Sequence, residues 1–157
     1  MKKQLIILCL VLTAAISACK KDSTSEVDTE YPVIDISSAD AFPKQCSDLS
    51  RGGKFTFKAV FTDNAELGSY SLHIHHNFDH HTHSSEVERC DLDAIKSPIK
   101  PFLMIKTSDI PRGQKSYTAS LELEVPADAD PGDYHFMIRL TDKEGWQTIK
   151  GLSIKIK

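Results

Sequence analysis

The chain has 157 residues, with 19 Lys and Arg against 22 Asp and Glu, a formal net charge of −3 and 40% hydrophobic residues. That length supports one domain with a real core. The near-neutral balance, with no basic stretch interleaved with aromatics, excludes nucleic acid as a class of partner.

The first residues read as an address. Lys2 and Lys3 form a basic start, Leu5 to Ile16 is apolar, and Ser17-Ala18 are small residues before Cys19. The apolar run is shorter than the ~20 residues that cross a bilayer, so residues 1–18 read as a cleaved signal peptide. Ile16-Ser17-Ala18-Cys19 resembles the lipobox of bacterial lipoproteins, which implies that Cys19 is the lipidated first residue of the mature chain. Its acyl chains would make the membrane a partner, at ~0.8 kcal/mol per buried CH2. Lys20-Lys21-Asp22 resembles the surface-export signals of bacteroidete lipoproteins. The expected location is therefore the bacterial cell envelope, as an outer-membrane lipoprotein with surface exposure. Residues 19–30, with Val27 as the one apolar side chain after Cys19, read as the lipidated cysteine and a flexible tether. Residues 31–157 are left as the folded domain.

Within that domain the pattern is short alternating runs between turn signals, which predicts an all-β, antiparallel sandwich of about seven strands. The expected strands are Tyr31–Ile36, Lys54–Thr62, Ser69–His76, Phe102–Thr107, Tyr117–Val125, Asp133–Thr141 and Leu152–Lys157. Pro131-Gly132 and Lys143-Glu144-Gly145 supply turns around the sixth. Gly151 sits where the last alternation changes phase and reads as a bulge. Ser84–Lys100 reads as an irregular connection with a short helix around Val87–Ile95. The stretch from Pro131 to Gly145 resembles the sixth strand and following turn of bacterial immunoglobulin-like domains.

Cys9 leaves with the signal, so Cys46 and Cys90 remain as an even pair in an oxidising compartment, where disulfides persist. The competing reading makes Cys90, seven residues after His83, a thiolate metal ligand.

Six of the seven histidines fall in His73-Ile74-His75-His76-Asn77-Phe78-Asp79-His80-His81-Thr82-His83. No packing rule calls for that density, whereas neutral imidazole is a ligand for transition metals. In a strand, residues i and i+2 share a face about 6.7 Å apart. His73 and His75 therefore point together, away from Tyr70, Leu72 and Ile74. His80, His81 and His83 lie on the departing loop, able to fold back. Asp79 is an oxygen ligand or an acceptor that fixes a histidine tautomer. His76 shares the phase of Ile74 and is, with Asp79, an outlying candidate. His135 alternates against Tyr134 and Phe136, so it too points outward. In the immunoglobulin-like order the third and sixth strands are neighbours, which would set His135 beside His73 and His75.

The run His75-His76-Asn77-Phe78-Asp79-His80-His81 behind a lipobox resembles the signature of a bacteroidete lipoprotein family known only as domain of unknown function 4625. That resemblance implies a lipid-anchored immunoglobulin-like sandwich and brings no activity with it. His73-Ile74-His75 followed by Phe78-Asp79 also resembles the copper-binding strand of copper–zinc superoxide dismutases, without that family's glycine-rich loop and its arginine.

Three functions compete. The first is a non-catalytic module holding zinc, copper or nickel, with zinc or copper foremost. The second is an adhesion module whose histidine surface responds to pH and meets an unidentified envelope protein. The third is a metal-dependent enzyme using Glu86 or Glu88 as base, although no His-Glu-x-x-His motif is present.

Overall fold

The structure, a computed structural model, describes residues 27–83 and 90–157. The signal peptide, Cys19, the tether up to residue 26, and Glu86 and Glu88 lie outside the described residues.

Eight strands form two facing sheets. In chain order they are β1 (Val33–Asp35), β2 (Ser47–Leu49), β3 (Lys54–Thr62), β4 (Leu67–His76), β5 (Met104–Asp109), β6 (Ser116–Glu124), β7 (Gly132–Asp142) and β8 (Gln147–Ile156). One sheet has the order β1-β3-β6 and the other β2-β8-β7-β4-β5. All neighbours are antiparallel except β2, which runs parallel to β8. Among the described residues no helix forms, so the helix expected around Val87–Ile95 is not seen over residues 90–95.

Period-two alternation builds the core. Phe57, Ala59 and Phe61 of β3 face Leu72, Ile74, Phe136, Ile138 and Leu140 of the other sheet's β4 and β7, all at most 1% exposed. Aromatic rings bridge the layers, with Phe57 5.7 Å from Phe136 and Phe61 5.2 Å from Tyr70 between centroids. Polar partners on the outer faces complete the sandwich pattern.

Three departures from the expected strands have physical reasons. β2 is three residues long, too short to show any alternation. β8 begins at Gln147 because its register with β7 runs unbroken through Met137↔Gly151, so Gly151 is no bulge. Thr148 and Lys150 are polar on the face that Leu152, Ile154 and Ile156 continue, and Ile149 is 44% exposed, which hid the first half of this strand. The irregularity lies instead in β4, between Leu67 and Ser69. There a Cβ on Gly68 would meet the Asp142 carbonyl oxygen at 2.6 Å.

Tyr134 locks the start of β7. Its buried hydroxyl donates to the Asp130 carbonyl at 2.7 Å, four residues upstream, and accepts from the Phe102 amide at 3.1 Å. This is the tyrosine corner of immunoglobulin-like sandwiches. Tyr134→Phe strands two backbone groups and should cost about 1–3 kcal/mol in a urea melt. A loss of less than about 0.5 kcal/mol, the level of a neutral surface change, would mean the corner is ornamental.

Candidate metal centre

β4 and β7 lie side by side with His75 directly opposite His135. Both residues alternate against core side chains, Ile74 on one strand and Tyr134 and Phe136 on the other, so their rings project from the outer face of the sheet. That face is not open. His135 is 0% exposed because the loop after β4 turns back over it.

The turn is held at several points. The Asn77 amide donates to the Asp133 carbonyl at 2.8 Å, and Phe78 is buried with its ring edge-on to Tyr134 at 5.2 Å. His80 takes a left-handed conformation (φ 59°), which reverses the chain. Beyond the loop, the Lys96 amide donates to the Phe78 carbonyl at 3.1 Å, and the Asp93 amide donates to Asp133 Oδ2 at 2.7 Å. A Cys46–Cys90 disulfide fastens the far end, so Cys90 is not a thiolate ligand.

As a result His81 and His83 return onto His75 and His135, and one ligand nitrogen from each of the four lies within 4.8 Å of the others. The six ring-centroid separations all fall between 4.7 and 5.4 Å. Four imidazoles bound tetrahedrally at ~2.0–2.1 Å would set their centroids about 5.2 Å apart and their nitrogens about 3.3 Å apart. His75 Nε2 is 3.1 Å from His83 Nε2 and 3.3 Å from His81 Nε2. The set therefore has the dimensions of a closed N4 shell.

Hydrogen bonds orient two of the rings. His81 Nδ1 pairs with Asp79 Oδ1 at 2.6 Å, which leaves the His81 lone pair on Nε2, the atom facing the cluster. This is the carboxylate–histidine arrangement that steadies metal ligands. His135 Nε2 donates to the His81 carbonyl at 3.2 Å, which places the lone pair of the neutral ring on Nδ1. His75 differs. Its Nδ1 is buried without a hydrogen-bond partner, and the hydrogen-bonding neighbours of its Nε2 are other imidazole nitrogens. His75 Nε2 is thus the point on which the rings of His81 and His83 converge.

Burial, and then the charges of His73, His135, His83 and His81, push the His75 pKa down from 6.5 to about 4. The ring is thus neutral and ligand-ready at physiological pH. Between about pH 6.5 and 4 the unfolded chain binds a proton at this position that the metal-free folded chain refuses. Stability should therefore fall as pH drops through that window and level off below it. Chelator-treated protein melted from pH 7 to pH 4 tests this, and a His75→Gln variant with the same pH slope would rule His75 out as the cause.

The other sequence candidates fall outside the four. The His73 ring lies 4.6 Å from that of His75 between centroids, tilted by 34°, and burial, then His83 and Arg139, lower its pKa. His80 hydrogen-bonds the Asp93 carbonyl through Nε2 at 2.9 Å and serves as a loop tie. His76 packs on the Phe78 ring at 4.9 Å.

The family described as domain of unknown function (DUF4625) matches residues 17–157. Among curated proteins none matches the chain. A solved structure of a GspB Siglec domain is similar at 19% identity with a TM-score of 0.42, over 83% of this chain and 59% of that one.

Proposed function

This chain belongs to the DUF4625 family, and from the convergence of His75, His81, His83 and His135 we propose that it is a non-catalytic transition-metal-binding protein of the cell envelope. Zinc is the metal the site fits best. Imidazole suits zinc, copper and nickel alike, but copper(II) and nickel(II) favour square-planar or tetragonal shells, whereas the four rings here are spaced as a tetrahedron. The six near-equal centroid separations carry this reading, since a merely polar or pH-responsive surface has no need for converging nitrogens.

Four protein ligands leave no coordination position for water or substrate, the pattern of structural rather than catalytic zinc. The role is thus to hold the metal, whether for acquisition, for buffering, or to pin the loop onto the sheet. The lipobox at Cys19 supports anchoring of this module to the outer membrane through lipid, and Lys20-Lys21-Asp22 supports display at the surface. An envelope protein partner that exchanges metal with it would act at the loop, where Thr82 is exposed.

Elemental analysis of full-length protein purified without an affinity tag should find one zinc per chain. Cobalt substitution should give the intense visible bands of a tetrahedral ion. Protein that stays metal-free after exposure to zinc and copper would end the proposal.

A further inference from the structure

The opposite end of the sandwich gathers three carboxylates. Asp28 precedes β1, Asp63 follows the last residue of β3, and Asp142 closes β7. One oxygen from each lies within 4.8 Å of the others. Every one of these side chains commits a single oxygen to nearby donors. Asp28 Oδ1 accepts from the Glu30 amide at 3.0 Å and from Asn64 Nδ2 at 2.8 Å. Asp63 Oδ2 accepts from the amides of Ala65 at 2.9 Å and Glu66 at 2.7 Å. Asp142 Oδ1 accepts from the amides of Gly145 at 2.6 Å and Trp146 at 2.8 Å.

The second oxygens are different. Asp28 Oδ2, Asp63 Oδ1 and Asp142 Oδ2 are all buried with no hydrogen-bond partner. Asp28 is 9% exposed and Asp142 3%. Among the described residues no lysine or arginine forms an ion pair with any of the three. Buried charge is normally paired or coordinates a metal.

The geometry points to a calcium site built by Asp28, Asp63 and Asp142. Calcium accepts several carboxylates in a flexible shell of 6–8 oxygens, whereas magnesium usually keeps its waters and takes only one or two carboxylates. Oxygen ligands alone are a poor lure for zinc or copper, which prefer imidazole. Along β7, Asp142 lies seven residues from His135, about 23 Å at ~3.3 Å per residue. The two sites are therefore separate, and this inference does not rest on the histidine reading.

The placement suggests what calcium would do. Asp63 directly follows a strand of the three-stranded sheet and Asp142 ends a strand of the five-stranded one. Asp28 belongs to the segment expected to lead in from the lipid, and its carbonyl accepts from Trp146 Nε1 at 2.9 Å. Calcium here clips that segment to both sheets and fixes how the domain leaves its tether.

Trp146 supplies a reporter, since it is the chain's one tryptophan and its amide bonds a proposed ligand. Terbium added to EGTA-treated full-length protein should emit when Trp146 is excited, and calcium should quench that emission at concentrations at least ten-fold below magnesium. Calcium at a hundred times its Kd should raise Tm by about 10 °C. The triple variant Asp28→Asn/Asp63→Asn/Asp142→Asn keeps a hydrogen-bond acceptor at each position and should lose both responses. His75→Ala should respond to calcium like the wild type. A triple variant that still binds calcium overturns the site. If that variant fails to fold, the wild-type measurements decide alone: no terbium emission, or no calcium shift in Tm, also overturns it.

Discussion

Replacing His75 and His83 together by alanine is expected to lower the apparent zinc affinity at least ~10⁴-fold. Loss of an outer-shell partner alone typically costs 10–100-fold, and each of these residues is one of four direct ligands in the proposed shell, so ~10²-fold apiece is a floor. The two come from different elements, His75 from β4 and His83 from the returning loop. Their contributions to the metal-free fold should therefore separate. His83 lies on the loop and is half-buried, so His83→Ala should leave the chelator-treated Tm nearly unchanged while abolishing the rise in Tm that zinc produces in the wild type. Asp79→Asn removes the acceptor that orients His81 and should cost 10–100-fold, with the ligand set intact. His80→Ala is the control. His80 bonds the Asp93 carbonyl rather than the cluster, so zinc affinity should hold within a few-fold. Competition against a chromophoric chelator reads all four variants. Equal losses in His80→Ala and His83→Ala would show that histidine density, not the four-ring geometry, does the binding.

That His135 shares an outer sheet face with His73 and His75 was legible in the sequence, because two alternating strands assigned as neighbours set their outward residues side by side. That His75 in particular stands opposite His135 is a matter of register, which the alternation does not fix. Nor could depth be read. Nothing in the period-two pattern says that a left-handed His80 and a buried Phe78 turn the loop back, sealing His135 from solvent and excluding His73 from the cluster. The spacing rule that singled out His73 and His75 is correct about faces. It is silent about which third and fourth ligands the loop delivers. The acidic site went unread for a different reason. Phe61-Thr62-Asp63, at the exit of β3, and Leu140-Thr141-Asp142, at the end of β7, share the same apolar-Thr-Asp pattern, which was a usable signal. Asp28 gave none. It sits in a polar stretch whose composition matches a solvated tether, and composition does not distinguish a loose segment from one pinned by a few hydrogen bonds to Asn64 and Trp146.

Reduction of the Cys46–Cys90 disulfide should cost the metal-free chain about 4 kcal/mol by the chain-entropy model, since the bond spans 44 residues. For a domain of this size that corresponds to a fall in Tm of about 12–16 °C. The zinc site should suffer much less. Cys90 anchors the connection beyond His83, but that connection is also held by the Asp93 and Lys96 amides and by the ion pair between Lys155 and Asp93. The entropy gained on reduction belongs mainly to the unfolded chain, so zinc affinity of the folded chain should drop by about ten-fold or less. Zinc at a thousand times its Kd contributes about 4 kcal/mol to the folded state, which would return the reduced protein close to the Tm of the oxidised, metal-free one. Melts of oxidised and reduced protein, each with and without zinc, test both halves. A reduced chain that binds zinc more than a hundred-fold weaker would show that the disulfide, rather than the Phe78 anchor and the His80 turn, holds the histidine loop in its binding shape.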